Sequence, residues 1–350
     1  MSDAAAAGGS GRPSPRRLLG SVGNLASVPI TLFGLVLVTF LIGRAVPIDP
    51  LIAVVGDHAP PDVIARTRVE LGLDQPLYVQ FWIFLKHLAV GDLGRSVMTQ
   101  RSVTADVARF FPATLELATA AIVLAIIVGV PLGVIAASRE GSRFDHAVRV
   151  IVLAGQSVPV FVIGLVCLLV FYVKLGIAPG TGQQDVVWEG MVPRRTGMLV
   201  VDAMLDGQWD AAWDALAHLA MPALILAYFS LAYIARMTRA FMLDALGAEY
   251  IVTARAKGLS QRRVVWRHAF GNIAVPLVTV LALAYAGLLE GAVLTETVFS
   301  WPGLGQYLTV SLLNADMNAV LGATLVIGLI YVGLNLLADL AYRLLDPRTR

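Results

Sequence analysis

The sequence predicts an all-α polytopic membrane protein: six transmembrane helices, N-in/C-in, with an extracytoplasmic segment after the first helix. Three observations carry that prediction. The 350 residues are 57% hydrophobic and only 14% charged, with a mean hydropathy of +0.76, whereas soluble domains average about 25% charged residues. Six mostly apolar segments are long enough for a helix to cross the hydrocarbon core, which takes roughly 20 residues. Lys and Arg gather in particular connections between those segments. The net charge of +2 is too small to imply nucleic acid as a partner, so the lipid bilayer is the first partner. The single cysteine, Cys167, lies in an apolar run, excludes an intrachain disulfide and reads as a small buried hydrophobe.

The elements follow in order. Residues 1–26 are small, polar and Gly/Pro-rich, then basic, and are expected to form a disordered cytoplasmic tail before an uncleaved anchor. The first span is 27–47. The segment 48–112 is extracytoplasmic. In it the spacing of Val63, Ala65, Val69 and Leu71, followed by an aromatic stretch, predicts a cap of short amphipathic helices. Residues 113–345 form the core, with spans at 113–138, 148–173, 216–235, 273–295 and 318–340, and 346–350 is the cytoplasmic C-terminus. Pro131 with Gly129 and Gly133, Pro159, Pro222 and Pro276 fall inside spans. They read as ordinary kinks or as gating hinges, since neighbouring helices can satisfy the freed carbonyls. A second outer segment, 175–215, has GTG, WEG and PRRTG turn signals. Trp209 and Trp213 then lie four apart, which suits an interfacial helix.

Charge sets the orientation. The inner connections carry Arg12, Arg16 and Arg17; Arg139, Arg143 and Arg149; a basic group from Arg236 to Arg267; and Arg343, Arg348 and Arg350. Residues 296–317 hold no Lys or Arg, and 183–214 set only Arg194 and Arg195 against six acids. Basic residues mark cytoplasmic loops, so this pattern supports N-in/C-in.

Catalytic motifs are missing. No G-x-x-x-x-G-K-[ST], H-E-x-x-H, C-x-x-C or G-x-S-x-G occurs, and the five histidines have no metal-ligand spacing. No enzyme activity and no metal site are expected in this polypeptide. If it works uphill, the energy enters from outside the chain.

The polar segment 244–271 therefore matters most. DALGAEYIVTARAK favours helix, Gly258 interrupts, and Ser260 can cap a second helix, QRRVVWRHAF, by accepting a backbone N–H. Charge alone would suffice to fix topology, but Ala254, Ala256 and Gly258 are small and permit close packing. A two-helix elbow of this kind suits docking into a groove on a soluble partner.

Those residues carry a family resemblance. EYIVTARAKGLSQRRVVWRHAFGNIAVP resembles the coupling loop of bacterial ABC importer permeases of the dipeptide/oligopeptide/nickel branch. Thr253 and Ala254 precede Gly258 as in the wider EAA-type pattern, with Val252 where the broader superfamily has Glu. GDLGRS (91–96), PATLELA (112–118), SVPVFVIGLVCLLVFYVKLGIAPGTG, LAYIARMTRAFMLDAL, ETVFSWPGLGQYL (296–308) and LLDPRTR are similar to further stretches, in order, from about Arg16 onward.

The resemblance implies an ABC importer type I permease fold in the cytoplasmic (inner) membrane. It also implies a second homologous permease subunit, two ATPase subunits and an extracytoplasmic substrate-binding protein. The chain is similar to the first of the two permeases. No cofactor is expected here, because ATP and Mg would sit on the ATPase subunits. The implied ATPase-coupling residues are Tyr250, Ala254, Arg255, Ala256, Lys257, Gly258, Arg267 and His268; Arg255 and Lys257 could instead meet anionic lipid. The cargo implied is di- or oligopeptides, or alternatively nickel chelates, glutathione or oligosaccharides.

Two positions depart from the family pattern. Glu290 stands where a small or apolar residue is expected. It either lines the translocation path, with Gln156 as a second candidate, and favours cationic cargo, or is solvated near the outer edge. Phe270-Gly271 replaces the Leu-Pro or Leu-Arg of many relatives. The rival reading, an ion-driven secondary transporter, calls for a mid-membrane acid network. Beyond Glu290 the spans offer only Glu116 and Asp339, both near ends.

Overall fold

Helices form where the apolar runs are longest, and they run past the hydrophobic limits. The computed structural model describes residues 15–45, 60–70 and 73–345, with side chains over 29–44, 60–69, 73–152, 157–338 and at 340. The helices are α1 (Pro15–Ala45), α2 (Pro61–Glu70), α3 (Leu77–Ala89), α4 (Val103–Ser138), α5 (Arg143–Ser157), α6 (Val160–Lys174), α7 (Leu199–Leu205), α8 (Trp209–Leu246), α9 (Glu249–Ala256), α10 (Gln261–Val298), α11 (Leu304–Leu313) and α12 (Met317–Leu345). No strand occurs among the described residues. Four helices, α4, α8, α10 and α12, are long and apolar enough to cross a membrane, while Pro29–Arg44 in α1 and α6 are shorter apolar stretches.

Several boundaries differ from expectation. α1 begins at Pro15, inside the segment expected to be a disordered tail. α4 begins at Val103, because the Ser102 hydroxyl accepts the Ala105 N–H (3.3 Å) and caps it; Pro112, expected just before the span, sits inside the helix. The run 148–173, expected as one span, breaks into α5 and α6. Pro159 bars the helical conformation from its predecessor, and Val158 is extended (φ −113°, ψ 130°). Pro131, Pro222 and Pro276 do not break their helices.

The core is α4 against α8, with α10 across both. Alanines dominate it: Ala118, Ala121, Ala125, Ala223 and Ala227 are all buried. In lipid, apolar burial does not drive helices together, so small residues that admit close backbone approach do. Gly129 and Gly133 supply the closest approach. A Cβ on Gly129 would lie 3.2 Å from the Leu231 carbonyl, and one on Gly133 only 2.6 Å from that of Ala235 and 2.7 Å from Thr238 Cβ. These contacts advance in step along both chains, so α4 and α8 run parallel.

A polar hub closes one end of the bundle. Trp301 Nε1 donates to the Ala113 carbonyl (2.9 Å), tying the α10–α11 turn to α4. Glu116 accepts the N–H groups of Leu199 (3.1 Å) and Val200 (2.8 Å) at the start of α7. Fully buried Glu296 accepts those of Gly305 (2.7 Å) and Gln306 (3.0 Å) at the start of α11. Asp316 accepts from the Ser96 hydroxyl (2.5 Å) and the Met98 N–H (3.2 Å). These are first-turn N–H groups or loop donors that would otherwise lack partners. Beside the hub, α3 lays Phe81 and Phe84 against Phe33 and Phe40 of α1, with ring centroids 5.2–5.8 Å apart.

Candidate functional site

The elbow lies at the opposite end from the hub. α8 runs to Leu246, the chain turns through Gly247 and extended Ala248 (ψ 150°), and α9 begins at Glu249. On α9, Ile251 and Ala254, three apart on one face, are buried against Val264, Val265 and Ala269 in the main core. Gly258 then takes φ +75°, which only glycine adopts without strain. Its N–H donates to the Arg255 carbonyl (2.9 Å), and the Leu259 N–H to that of Ala254 (3.3 Å).

The expected second helix of the elbow is not separate. α10 runs unbroken from Gln261 to Val298, with a π-helical stretch at Val264–Ala269, so the second arm is the start of the long helix itself. Ser260 makes no side-chain cap; its carbonyl instead accepts the Val264 N–H (3.0 Å) within the helical pattern. The elbow is thus one short helix packed between the ends of two long ones.

Of the eight residues singled out from sequence, Ala254 faces inward. Tyr250, Arg255, Ala256, Lys257, Gly258 and Arg267 are exposed, and His268 is half-buried. Val252 (62% exposed) and Trp266 (41%) share the surface with Arg262 and Arg263. None of these five basic side chains forms an ion pair among the described residues. The surface combines exposed apolar bulk with uncompensated positive charge.

A groove of about 370 Å³ opens between α6, α8 and α10. Val160, Leu226, Leu283, Leu288 and the open flank of Gly287 and Gly291 line it, and Ser230 and Tyr233 supply its polar atoms. Glu290 is exposed but borders a smaller hollow with Thr114, Leu304 and Tyr331, on another flank of α10. The Gln156 side chain lies outside the described residues. Among them no group of His, Cys, Asp and Glu could hold a metal ion.

The sequence matches known proteins along nearly the whole chain. The family described as "Binding-protein-dependent transport system inner membrane component" matches residues 129–350, and its N-terminal companion matches 17–118. The chain belongs to this family. It is 44% identical to the probable D,D-dipeptide transport system permease protein DdpB of Escherichia coli (strain K12), over 90% of this chain and 92% of that one. The di/tripeptide transport system permease protein DppB of Pseudomonas aeruginosa (strain UCBPP-PA14) is 41% identical over 91% and 95%. The dipeptide transport system permease protein DppB of E. coli K12 is 39% identical over 93% and 97%.

In this inner membrane component one further contact bears on the elbow, and sequence reading missed it. Asp145, wholly buried at the start of α5, accepts two hydrogen bonds from the Arg239 guanidinium on α8 (2.6 and 2.9 Å), and Arg149 stands 3.8 Å away. The bonds from Arg239 hold the Asp145 carboxyl below the usual carboxylate range, against burial, which pushes it up. This clamp fixes α8 two turns before the elbow. Its only sequence signal was Asp145 three residues after the capping Ser142, a pattern that marks many helix starts.

Proposed function

We propose that this protein is one of two permease subunits of an ATP-driven peptide importer, crossing the membrane six times with both termini in the cytoplasm. The observation that carries the reading is the exposed basic and apolar elbow built onto the ends of α8 and α10, in a chain whose relatives bear dipeptide and di/tripeptide permease names. Supporting the topology, the hub's 296–317 connection holds no Lys or Arg, whereas the elbow at the opposite end carries a basic group.

An ATPase subunit holds the elbow through Tyr250, Val252, Trp266 and the surrounding cations. Ala254 and Ile251 seat α9 on α10, and Gly258 lets the chain turn sharply enough to keep it there. Because α10 starts inside the elbow, displacement of the docked surface moves α10 as one body, and α8 follows through its short Gly247 link. The groove between α6, α8 and α10, mostly apolar with the Ser230 and Tyr233 hydroxyls, then opens or closes as half of a translocation path completed by the second permease. ATP hydrolysis belongs to the ATPase subunits, and first selection of cargo to the substrate-binding protein. The relatives' names favour peptides over nickel chelates, glutathione or oligosaccharides. Glu290 lies on another flank of α10, outside this groove, and biases the path toward cationic groups where the second permease closes over that flank.

The test is uptake by the complete complex in proteoliposomes. Peptide accumulation should require ATP and survive a protonophore. The Tyr250→Ala/Arg267→Ala double variant should lose uptake while assembly is retained. Glu290→Gln should slow cationic peptides more than neutral ones. Uptake that collapses with the proton gradient at constant ATP rejects the reading.

A further inference from the structure

A second recess, of about 570 Å³, opens at the hub end, between the start of α4, the 182–199 loop and the α10–α11 turn. It falls in the size range of small-molecule sites, roughly 300–1,000 Å³. Unlike the groove between α6, α8 and α10, its wall is charged, and two of its five charged side chains, Asp185 and Asp202, are already committed to the fold. The Asp202 carboxylate accepts the N–H groups of Arg195 (3.1 Å), Thr196 (2.8 Å) and Gly197 (2.9 Å) and so folds the loop. Asp185 accepts from the Val187 N–H (3.1 Å). Arg195, just outside the lining, pairs with Asp206 (2.9 Å).

Three lining charges are left. Arg109 lies over the Phe110 ring (5.8 Å), and Arg109, Arg194 and Glu189 have no side-chain hydrogen-bond or ion-pair partner among the described residues. Behind the same wall, Gln183 Nε2 and Gln184 Oε1 are buried without a hydrogen-bond partner. One is an amide donor and the other an amide acceptor. Unsatisfied buried polar atoms are costly, so the wall gains by shifting toward a ligand that presents both.

We infer that this recess is a peptide-holding site on the permease itself, separate from the substrate-binding protein, for short peptides with both termini free. Arg109 and Arg194 meet the terminal carboxylate, Glu189 meets the terminal ammonium, and Gln183 and Gln184 meet the peptide bond between them. The wall carries both signs of charge, so a zwitterion is matched where a simple anion or cation is half-repelled. The site would receive cargo released at the outer face before it enters the path between α6, α8 and α10. This inference rests on the peptide-importer reading and adds a station to it.

The experiment has two arms. In the first, the permease–ATPase complex without its binding protein is titrated with radiolabelled Ala-Ala, N-acetyl-Ala-Ala and Ala-Ala-amide. Wild type should hold Ala-Ala more tightly than either blocked form. Removing one exposed charge pair should cost up to about fivefold in affinity. R109Q/R194Q should therefore lose preference for Ala-Ala over the amide, and E189Q its preference over the acetylated form, while R109K/R194K retains most binding. Equal binding of all three peptides, no binding, or an unchanged R109Q/R194Q variant overturns the site. In the second arm, Ala-Ala uptake is measured with the binding protein present. If the wild-type complex imports peptide while the first arm fails, only the site is wrong; if it imports none, the importer reading itself fails.

Discussion

Replacing Gly133 by valine should separate α4 from α8. A Cβ at that position would stand 2.6 Å from the Ala235 carbonyl and 2.7 Å from Thr238 Cβ, and both opposing atoms belong to a buried helix. Ordinary contact begins near 3.4 Å, so α8 must withdraw by about 0.8 Å before valine's own methyl groups are counted. Overpacking of this kind costs about 1–3 kcal/mol, and a β-branched residue against backbone belongs at the upper end. The better helix propensity of valine returns at most about 0.5 kcal/mol, so the expected net loss is about 2 kcal/mol. The comparison is Gly271→Ala, also helical but with nothing within 4 Å of the added Cβ; it should be neutral or slightly stabilising. SDS-induced unfolding of the purified permease, followed by tryptophan fluorescence, reads both. Equal midpoints for Gly133→Val and wild type would refute the close parallel packing of α4 on α8.

Further outcomes follow from the same geometry. Asp145→Asn should cost about 1–3 kcal/mol at pH 7, the value of a charged hydrogen bond. The native carboxyl is held below its unfolded value, near 3.9, so its stabilisation is full above about pH 5 and fades as pH falls through the lower folded value. Unfolding curves of both proteins from pH 7 to 3 check this, and the deficit should shrink only at the acid end. Glu296→Ala should leave the Gly305 and Gln306 N–H groups without their acceptor and destabilise by roughly 2–4 kcal/mol, seen as a lower SDS midpoint. Ala254→Leu should lower both stability and uptake because the side chain faces inward, whereas Ala256→Leu should leave the unfolding midpoint unchanged and reduce uptake alone.

The helical class was legible because the apolar runs are long, and the elbow because it is a polar island among them. Three features were not. The break at Pro159 and the continuity through Pro112, Pro131 and Pro276 share one residue type; what separates them is whether neighbouring elements accept the distortion, and that is a tertiary property. Gly129 and Gly133 read, with Pro131, as a kink or hinge, yet they sit in close packing that is visible only once α8 lies alongside. The acids Asp145 and Glu116 each find partners far along the chain: Asp145 and Arg239 are 94 residues apart, Glu116 and Val200 are 84. Local pattern carries no record of such pairs. In the elbow, 244–257 was expected as one helical arm, but the long helix before it takes residues up to Leu246 and the short helix starts only at Glu249. The fusion of the second arm with α10 was not expected either, because QRRVVWRHAF is polar enough to read as a helix separate from the span at 273–295.

The central claim is that the exposed elbow is where force enters. Its most direct test places a single cysteine at Lys257 in a Cys167→Ser background, attaches a photo-crosslinker, and illuminates the assembled complex in membranes with and without ATP. The account predicts a crosslink to an ATPase subunit whose yield changes with nucleotide, and loss of uptake in the crosslinked fraction. A probe at Lys257 that captures only lipid, in a complex that still imports peptide, would contradict it.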